Sequence, residues 1–272
     1  MNNPLPASIA VRLLAIGLVA LPAGCSALKE AKLRAPTWFG LEQMEPSVYV
    51  GREVTDPQRA QLLASIQQAR SQVIEVYGSL VSRPAVYACA NRDCYESFNG
   101  YGDGRTVADG FLLMPKSFIP EAISHEWSHV ELYARVGRSG YGRFPMWFHE
   151  GLAVVVSKLP GHSDDRLREA EKLGLPIPQR IRELGQLEAW SNALNEYRNS
   201  KGINVVYSAA GHEVRDWFKR AGQRGLLELI ENVSSGEKFA AAYDRIAERA
   251  ATGHENASNR RFETDAQRAA QP

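Results

Sequence analysis

The stretch His125-Glu126-Trp127-Ser128-His129 decides how this chain can be interpreted. On an α-helix, residues four positions apart lie on the same face, so its two imidazoles would be neighbours. Apolar residues recur at steps of three and four through 118–136, which favours a helix there. Pro120 suits the first turn of that helix and Gly137 lies just past its end. We therefore predict a half-buried helix whose histidines face inward or into a cleft.

The same pattern, H-E-x-x-H, carries a chemical prediction. Two imidazoles on one helix face can bind a single Zn²⁺, which leaves Glu126 beside a coordinated water molecule. The alternative is a surface helix with two solvated histidines, because the pentapeptide can also arise by chance. We predict one Zn²⁺ per chain, with His125 and His129 as two of its ligands.

A third ligand is offered by Glu150. Residues 137–145 contain three glycines and a proline, which predict a loop, and 147–159 predict a second, apolar helix. An antiparallel return would bring Glu150 to the two histidines, and His₂Glu with an open position is a known catalytic zinc set. The alternative is that Glu150 is an ordinary carboxylate near the start of a helix. His149 is a rival ligand, which we interpret as a residue around the ligands, in the cleft or on the surface.

The motif at 125–129, followed by Pro145-Met146-Trp147-Phe148-His149-Glu150-Gly151-Leu152-Ala153, resembles the gluzincin clan of zinc peptidases. The resemblance is closest to peptidase MA-like domains and more distant to aminopeptidases of the membrane alanyl type. It implies that both histidines and Glu150 hold Zn²⁺ and that Glu126 is the catalytic base. The metzincin pattern fits poorly, because Leu132 and Arg135 stand where it has glycine and a third histidine.

Two further features bear on this resemblance. The Gly-x-Met-Glu-Asn segment with which the aminopeptidases grip a free amine is missing, which disfavours that activity. The segment beginning at Tyr207 is similar to one whose tyrosine donates a hydrogen bond to the oxyanion, so this role falls on Tyr207. The family often has Lys-Gly early in this segment, whereas here the glycine is Gly211. The alternatives are that Tyr207 is a core residue of an amphipathic helix and that His212 is the oxyanion donor.

The predicted fold class is α+β and zincin-like. A small N-terminal lobe combines a sheet with helices, the zinc helix lines the cleft, and the C-terminal lobe is mostly helical. Thr55 or Asp56 would cap a long helix that reaches Tyr77, 84–90 predict a strand, and 99–110 predict a loop. After short helices and loops in the middle of the chain, helices are expected at the three ranges 202–219, 225–233 and 237–250.

Phe111-Leu112-Leu113-Met114 predicts a short strand before the zinc helix. In gluzincins the strand at this place lies at the edge of the cleft. An unpaired edge can bind an extended peptide through main-chain hydrogen bonds, so we predict that Phe111, Leu112, Leu113 and Met114 bind substrate. The alternative is a fully paired strand.

The N-terminus resembles a bacterial lipoprotein signal. Residues 1–24 combine a basic flank with an apolar run too short to span a bilayer, and Cys25 follows as the predicted lipidation site. An ordinary secretory signal cut near Gly24 is the alternative. Ser26 resembles lipoproteins of the outer membrane. The predicted organisation is a signal (1–24), a tether (25–45), one peptidase domain (46–250) and a disordered tail (251–272).

The cysteines agree with export, and the charge balance bears on the expected partners. Cys89 and Cys94 flank a turn-forming Asn-Arg-Asp and are predicted to form a disulfide, since an oxidising compartment favours one; zinc binding by the two thiolates is the weaker alternative. The chain has 32 Lys and Arg against 31 Asp and Glu, which gives no basic surplus for nucleic acid. The expected partners are a peptide or protein substrate and the periplasmic side of a membrane, through the lipid on Cys25.

Together these features predict an exported zinc metallopeptidase of gluzincin type, with endopeptidase activity. Two alternatives remain open from the sequence. The first is an inactive, zinc-binding lipoprotein that assists envelope assembly or binds substrate, although such a protein would not need the base Glu126. The second is a structural lipoprotein without metal.

Overall fold

The computed structural model describes residues 31–102, 104–107 and 109–252. The predicted signal peptide, the lipidation site Cys25 and nearly all of the predicted tail lie outside these ranges. Residues 251 and 252, the first of the predicted tail, continue a helix. None of the helices in the described ranges is long and apolar enough to span a bilayer.

Five strands form a single mixed sheet on the N-terminal side of the chain. Its spatial order is β1-β2-β3-β5-β4; the β2–β3 and β3–β5 pairs are parallel, and the two outer pairs are antiparallel. The strands are β1 Leu41–Glu45, β2 Val48–Gly51, β3 Ala85–Ala88, β4 Gly104–Val107 and β5 Gly110–Leu113. The prediction that 41–45 belong to a tether is wrong, because Leu41 is buried and β1 pairs with β2.

Eight helices of more than one turn accompany the sheet within the described residues. They are α1 Asp56–Tyr77, α2 Arg92–Ser97, α3 Pro120–Tyr141, α4 Met146–Ser157, α5 Asp164–Lys172, α6 Leu187–Glu196, α7 Val205–Ser234 and α8 at 239–252. After β5 the described chain contains helices and loops only. The fold is therefore α+β, as predicted, with its strands in the N-terminal part.

Two glycines divide long helices at the places that the sequence indicated. Gly137 (φ 66°) interrupts α3 and Gly222 (φ 64°) interrupts α7. Positive φ is costly for residues with a Cβ, so glycine is the residue that allows these breaks. As predicted, α3 changes direction at Gly137, but 138–141, predicted as a loop, form another helical turn. In α7 the two predicted helices are two parts of one element.

The strand predicted at the edge of the cleft is not an edge. β5 hydrogen-bonds with β3 on one side and with β4 on the other, and its residues Phe111–Leu113 are fully buried. Met114 follows the strand and is 8% exposed. The edge strand next to β5 is β4, which lies inside the segment predicted as a loop. Its glycines indicated a loop, but 104–107 pair with β5 as a hairpin whose two strands are only two residues apart in the chain.

A disulfide joins Cys89 to Cys94, as predicted, with their Cα atoms 5.6 Å apart. It connects the end of β3 to α2 across a tight turn. The side chain of Asn91 caps α2 by accepting a hydrogen bond from the backbone N–H of Cys94 at 2.9 Å. The turn chemistry of the sequence thus brings the two thiols together.

A buried carboxylate connects α3 to the loop after α1. Glu131 is fully buried, and its oxygens accept hydrogen bonds from the backbone N–H groups of Val81 and Ser82, each at 3.0 Å, and from the Ser82 hydroxyl at 2.6 Å. Arg135 donates to the same carboxylate at 2.8 Å. Trp127 donates to the Ser82 hydroxyl at 3.0 Å. This network fixes the helix that carries both histidines.

Candidate metal centre

Two helices bring three candidate ligands together. His125 and His129 lie one turn apart on α3, and Glu150 lies on α4, which packs against α3. Oε2 of Glu150 lies 3.3 Å from Nε2 of His125 and 3.6 Å from Nε2 of His129. The ligand atoms of the three residues lie within 4.8 Å of one another. The group could hold a metal ion, so the predicted convergence of the three residues is observed.

The spacing of these atoms fits a small tetrahedral cation. Ligands at about 2.0–2.1 Å from a tetrahedral Zn²⁺ lie roughly 3.3 Å from one another. The two distances to Glu150 agree with this separation. In addition, Oε2 of Glu150 and Nδ1 of His125 are buried and have no hydrogen-bond partner among the described residues. A buried carboxylate oxygen without a partner is costly, and a cation between the ligands would satisfy it.

The charges of the three residues are matched. Burial alone would raise the pKa of Glu150, but His129 and His125 hold it far below its ordinary value. Burial alone would lower the pKa of His129, but Glu150 and then Glu126 raise it overall. The carboxylate therefore stays ionised beside an imidazole that readily takes a proton. Because a metal must replace that proton, its affinity is expected to fall as the pH falls.

The helix α4, which carries Glu150, also approaches α7 very closely. A Cβ on Gly151 would lie 2.5 Å from the carbonyl oxygen of Ala210, and one on Gly211 would lie 2.4 Å from Cγ1 of Val154. Both contacts are too short for a real side chain. Glycine is therefore needed at each point of contact, Gly151 on α4 and Gly211 on α7. This explains physically why glycine follows Glu150, and it brings α7 with Tyr207 next to the ligands.

Glu126 lies between α3 and the edge strand. Its Oε2 accepts a hydrogen bond from the hydroxyl of Thr106, on β4, at 2.8 Å. A Cβ on Gly104 would lie 3.0 Å from the other oxygen, so the strand and the carboxylate are in close contact. Thr106 therefore orients Glu126. The role of Thr106 was not predicted, because the segment around it was expected to form a loop.

Tyr207, on α7, lies beside the ligands. Its ring centroid is 6.2 Å from that of His125, and its ring stacks on His162 at 4.9 Å and meets Trp190 edge-on at 5.3 Å. Burial, followed by the charges of the two cleft glutamates, raises its pKa far above the ordinary value. The phenol thus keeps its proton and can donate a hydrogen bond. It lines the cleft and does not lie wholly in the core.

The rival histidines have other environments. His212 lies about half exposed, with Nδ1 3.1 Å from Asp164 Oδ1, and it is not among the residues that line the cleft. Of the two residues suggested as oxyanion donors, only Tyr207 lines the cleft. His149 is buried against Tyr141, with ring centroids 4.2 Å apart, and lies outside the group of three ligands. Burial, and then the charge of His129, lower its pKa to about 4, so it stays neutral.

His162 is a residue that the sequence analysis missed. It ends a short turn, Pro160–His162, and covers one face of Tyr207. Burial, and then the charge of His125, lower its pKa to about 4. No local motif surrounds it, and its ring reaches the site only through the packing of its turn against α7.

The cleft that contains these groups has a volume of about 200 Å³. None of Phe111–Met114, predicted to bind substrate, lines it. Its lining residues are Tyr101, Arg105, Thr106, His125, Glu126, His129, Tyr141, Met146, His149, Glu150 and Tyr207. Thus β4 takes the place that the sequence analysis assigned to β5.

Comparison of the chain with known protein families finds no match, and a search of curated proteins finds no relative.

Proposed function

We propose that this protein is a zincin-like, zinc-dependent peptidase of gluzincin type. One observation carries the proposal. Glu150 converges with His125 and His129 on a point where a cation fits, while a fourth, carboxylate-bearing residue, Glu126, borders the same cleft. Two imidazoles and one carboxylate with an open position form a catalytic zinc set. The exported location predicted from the N-terminus is part of the proposal, and the disulfide agrees with an oxidising compartment.

The chain's own residues then have defined roles. When bound, Zn²⁺ would lower the pKa of a water molecule and polarise the carbonyl of the substrate. Glu126, oriented by Thr106, accepts the proton of the attacking water and delivers it to the leaving amine. Tyr207 keeps its proton and donates a hydrogen bond to the oxyanion of the tetrahedral intermediate. Base and donor lie on two different helices, α3 and α7, and both residues line the cleft.

The substrate main chain would bind along β4. This strand pairs with β5 on its inner side, and within the described residues no strand pairs with its outer side. Thr106, at its centre, contacts Glu126. A peptide that adds to this edge would pass beside the base, because an extended chain hydrogen-bonds to an exposed strand. This proposal replaces the role first assigned to Phe111–Met114.

Metal binding and hydrolysis are expected to depend on the same three ligands. The wild-type protein should bind one Zn²⁺ per chain and cleave an unfolded protein substrate; a chelator should abolish cleavage, and added Zn²⁺ should restore it. His125→Ala should lose both zinc and activity, because only two ligands remain. His212→Ala, which removes a histidine outside the site, should lose neither. Elemental analysis and peptide release measure the two properties.

The proposal fails in two distinguishable ways. If His125→Ala retained the zinc stoichiometry of the wild type, the ligand assignment would be wrong. If zinc bound as expected but no substrate were cleaved, the zinc-binding assembly or substrate-binding function would replace the peptidase.

Tyr207→Phe is expected to lower kcat by about 100-fold with little change in KM or zinc content. The phenol hydrogen bond forms with the oxyanion only, and loss of one such donor typically has an effect of this size. Tyr133→Phe, a matched change at an exposed tyrosine on α3, should leave kcat unchanged. A KM effect alone, or an equal loss in both variants, would remove Tyr207 from the oxyanion role.

A further inference from the structure

A second, larger cavity of about 480 Å³ adjoins the metal cleft. The two cavities share Tyr141, Met146 and His149 in their walls. We propose that this cavity, the side pocket, binds a bulky apolar side chain of the peptide substrate, next to the bond that is cleaved. The inference rests on the proposed function and adds to it the class of residue that the protein selects.

The walls of the side pocket are aromatic and support one another. Phe239, on α8, meets the ring of Trp147 edge-on at 5.7 Å and that of Phe144 at 5.8 Å. Tyr243, one turn further along α8, contacts both Trp147 and Phe239. Rings that pack against one another leave few alternative rotamers, so the pocket exists before a ligand arrives. Ligand sites are typically preformed, mostly apolar hollows of this size.

The charged residues of the side pocket have partners within the protein. Arg182 binds Asp244 at 2.9 Å and Glu213 at 2.8 Å. Arg143 donates hydrogen bonds to the carbonyl oxygens of Val233 and Ser234, at 3.0 and 2.9 Å. A charged substrate side chain would find these groups engaged and would lose its hydration without compensation. An apolar side chain has no such cost, so the pocket favours phenylalanine, leucine or methionine over aspartate or lysine.

The side pocket lies next to the cleft in which the substrate would be cleaved. His149 precedes the ligand Glu150 directly in sequence and forms part of both walls. A residue bound in the pocket therefore lies within one side-chain length of the cleft. The cleft itself has a volume of about 200 Å³, less than half that of the side pocket. The side pocket is the larger of the two, is mostly apolar and adjoins the cleft, so it is the better place for a bulky apolar side chain.

Two adjacent alanines on α8 provide a test. Ala240 is exposed and lines the side pocket, whereas Ala241 is exposed and does not. Ala240→Trp would fill the mouth of the pocket, and Ala241→Trp would place the same ring outside it. Both changes are introduced into the Glu126→Gln protein, so that binding is measured without turnover. Equal thermal unfolding temperatures would show that both variants fold normally.

The probes are two blocked peptides, acetyl-Gly-Gly-Phe-Gly-Gly-amide and its all-glycine analogue, titrated calorimetrically in the presence of Zn²⁺. We expect the phenylalanine peptide to bind about 10- to 100-fold more tightly than the glycine peptide, as burial of such a side chain implies. This preference should persist in Ala241→Trp and disappear in Ala240→Trp. Equal affinities for the two peptides, or a preference that survives Ala240→Trp, would overturn the proposal.

The result is separable from the proposed activity. If the phenylalanine peptide binds selectively but the wild-type protein cleaves nothing, the side pocket stands and the peptidase function fails. If the wild-type protein cleaves peptides without regard to apolar residues, the peptidase function stands and the side pocket is not the specificity site.

Discussion

Glu126→Gln is expected to lower kcat by about three orders of magnitude while zinc binding and folding persist. A carboxylate that accepts and returns a proton typically contributes a factor of this order. Glutamine has nearly the same shape, and its amide oxygen can still accept the hydrogen bond that Thr106 donates to Glu126 at 2.8 Å. The change therefore removes the basic carboxylate but keeps the shape of the side chain and its hydrogen bond from Thr106. Steady-state hydrolysis of a peptide, together with zinc analysis of the same preparation, measures the outcome.

The matched control is Glu121→Gln, a change of the same type in the first turn of α3. Glu121 is not among the cleft-lining residues, so kcat should remain at the wild-type value. Thr106→Val should give a smaller loss than Glu126→Gln, since it disturbs the orientation of the base and leaves the base present. A Glu126→Gln protein that cleaves as fast as the wild type would show that the proposed mechanism is wrong.

Glu131→Ala is expected to lower the free energy of unfolding by about 3–5 kcal/mol, the usual cost of removing one partner of a buried ion pair. The side chain of Arg135, 12% exposed, would lose its carboxylate at 2.8 Å. The backbone N–H groups of Val81 and Ser82 would lose their acceptor. Most domains have a total stability of only about 5–15 kcal/mol, so the variant would be close to unfolding. Urea denaturation followed by circular dichroism measures the change.

The control for stability is a second change at position 121, Glu121→Ala. Removal of this partly exposed carboxylate, which lies away from such a network, should change the free energy of unfolding by less than about 0.5 kcal/mol. A loss below about 1 kcal/mol in Glu131→Ala would mean that the buried network contributes little to stability. Because Glu131 follows His129 by only two residues, the zinc affinity of the destabilised variant, measured below its melting temperature, also shows how far the network positions the ligand helix.

Much of the site could be predicted from local pattern. The spacing of His125 and His129 places them on one helix face, whatever the helix packs against. The glycines between 137 and 145 indicated a return of the chain, and Glu150 does meet both imidazoles. The disulfide also followed from local chemistry, since Cys89 and Cys94 flank a short turn. In each case the partners are close in sequence or joined by one reversal of the chain.

Other features depend on contacts between distant segments. β5 lies inside the sheet because it also pairs with β3, from a distant part of the chain, with Ala85 opposite Gly110, so Phe111–Met114 were assigned the wrong place. Thr106 was overlooked because its glycine-rich segment predicted a loop. His162 reaches Tyr207 only because its turn packs on α7.

Helix periodicity and the choice of candidate ligands could be predicted from the amino-acid sequence alone, because both follow from residues close together in the chain or joined by one reversal of it. Strand order, the orientation of Glu126 and the aromatic side pocket between α4 and α8 arise when segments far apart in the chain compete for the same partners. That competition is decided by the packing and hydrogen bonding of the whole domain, and no local pattern records its result.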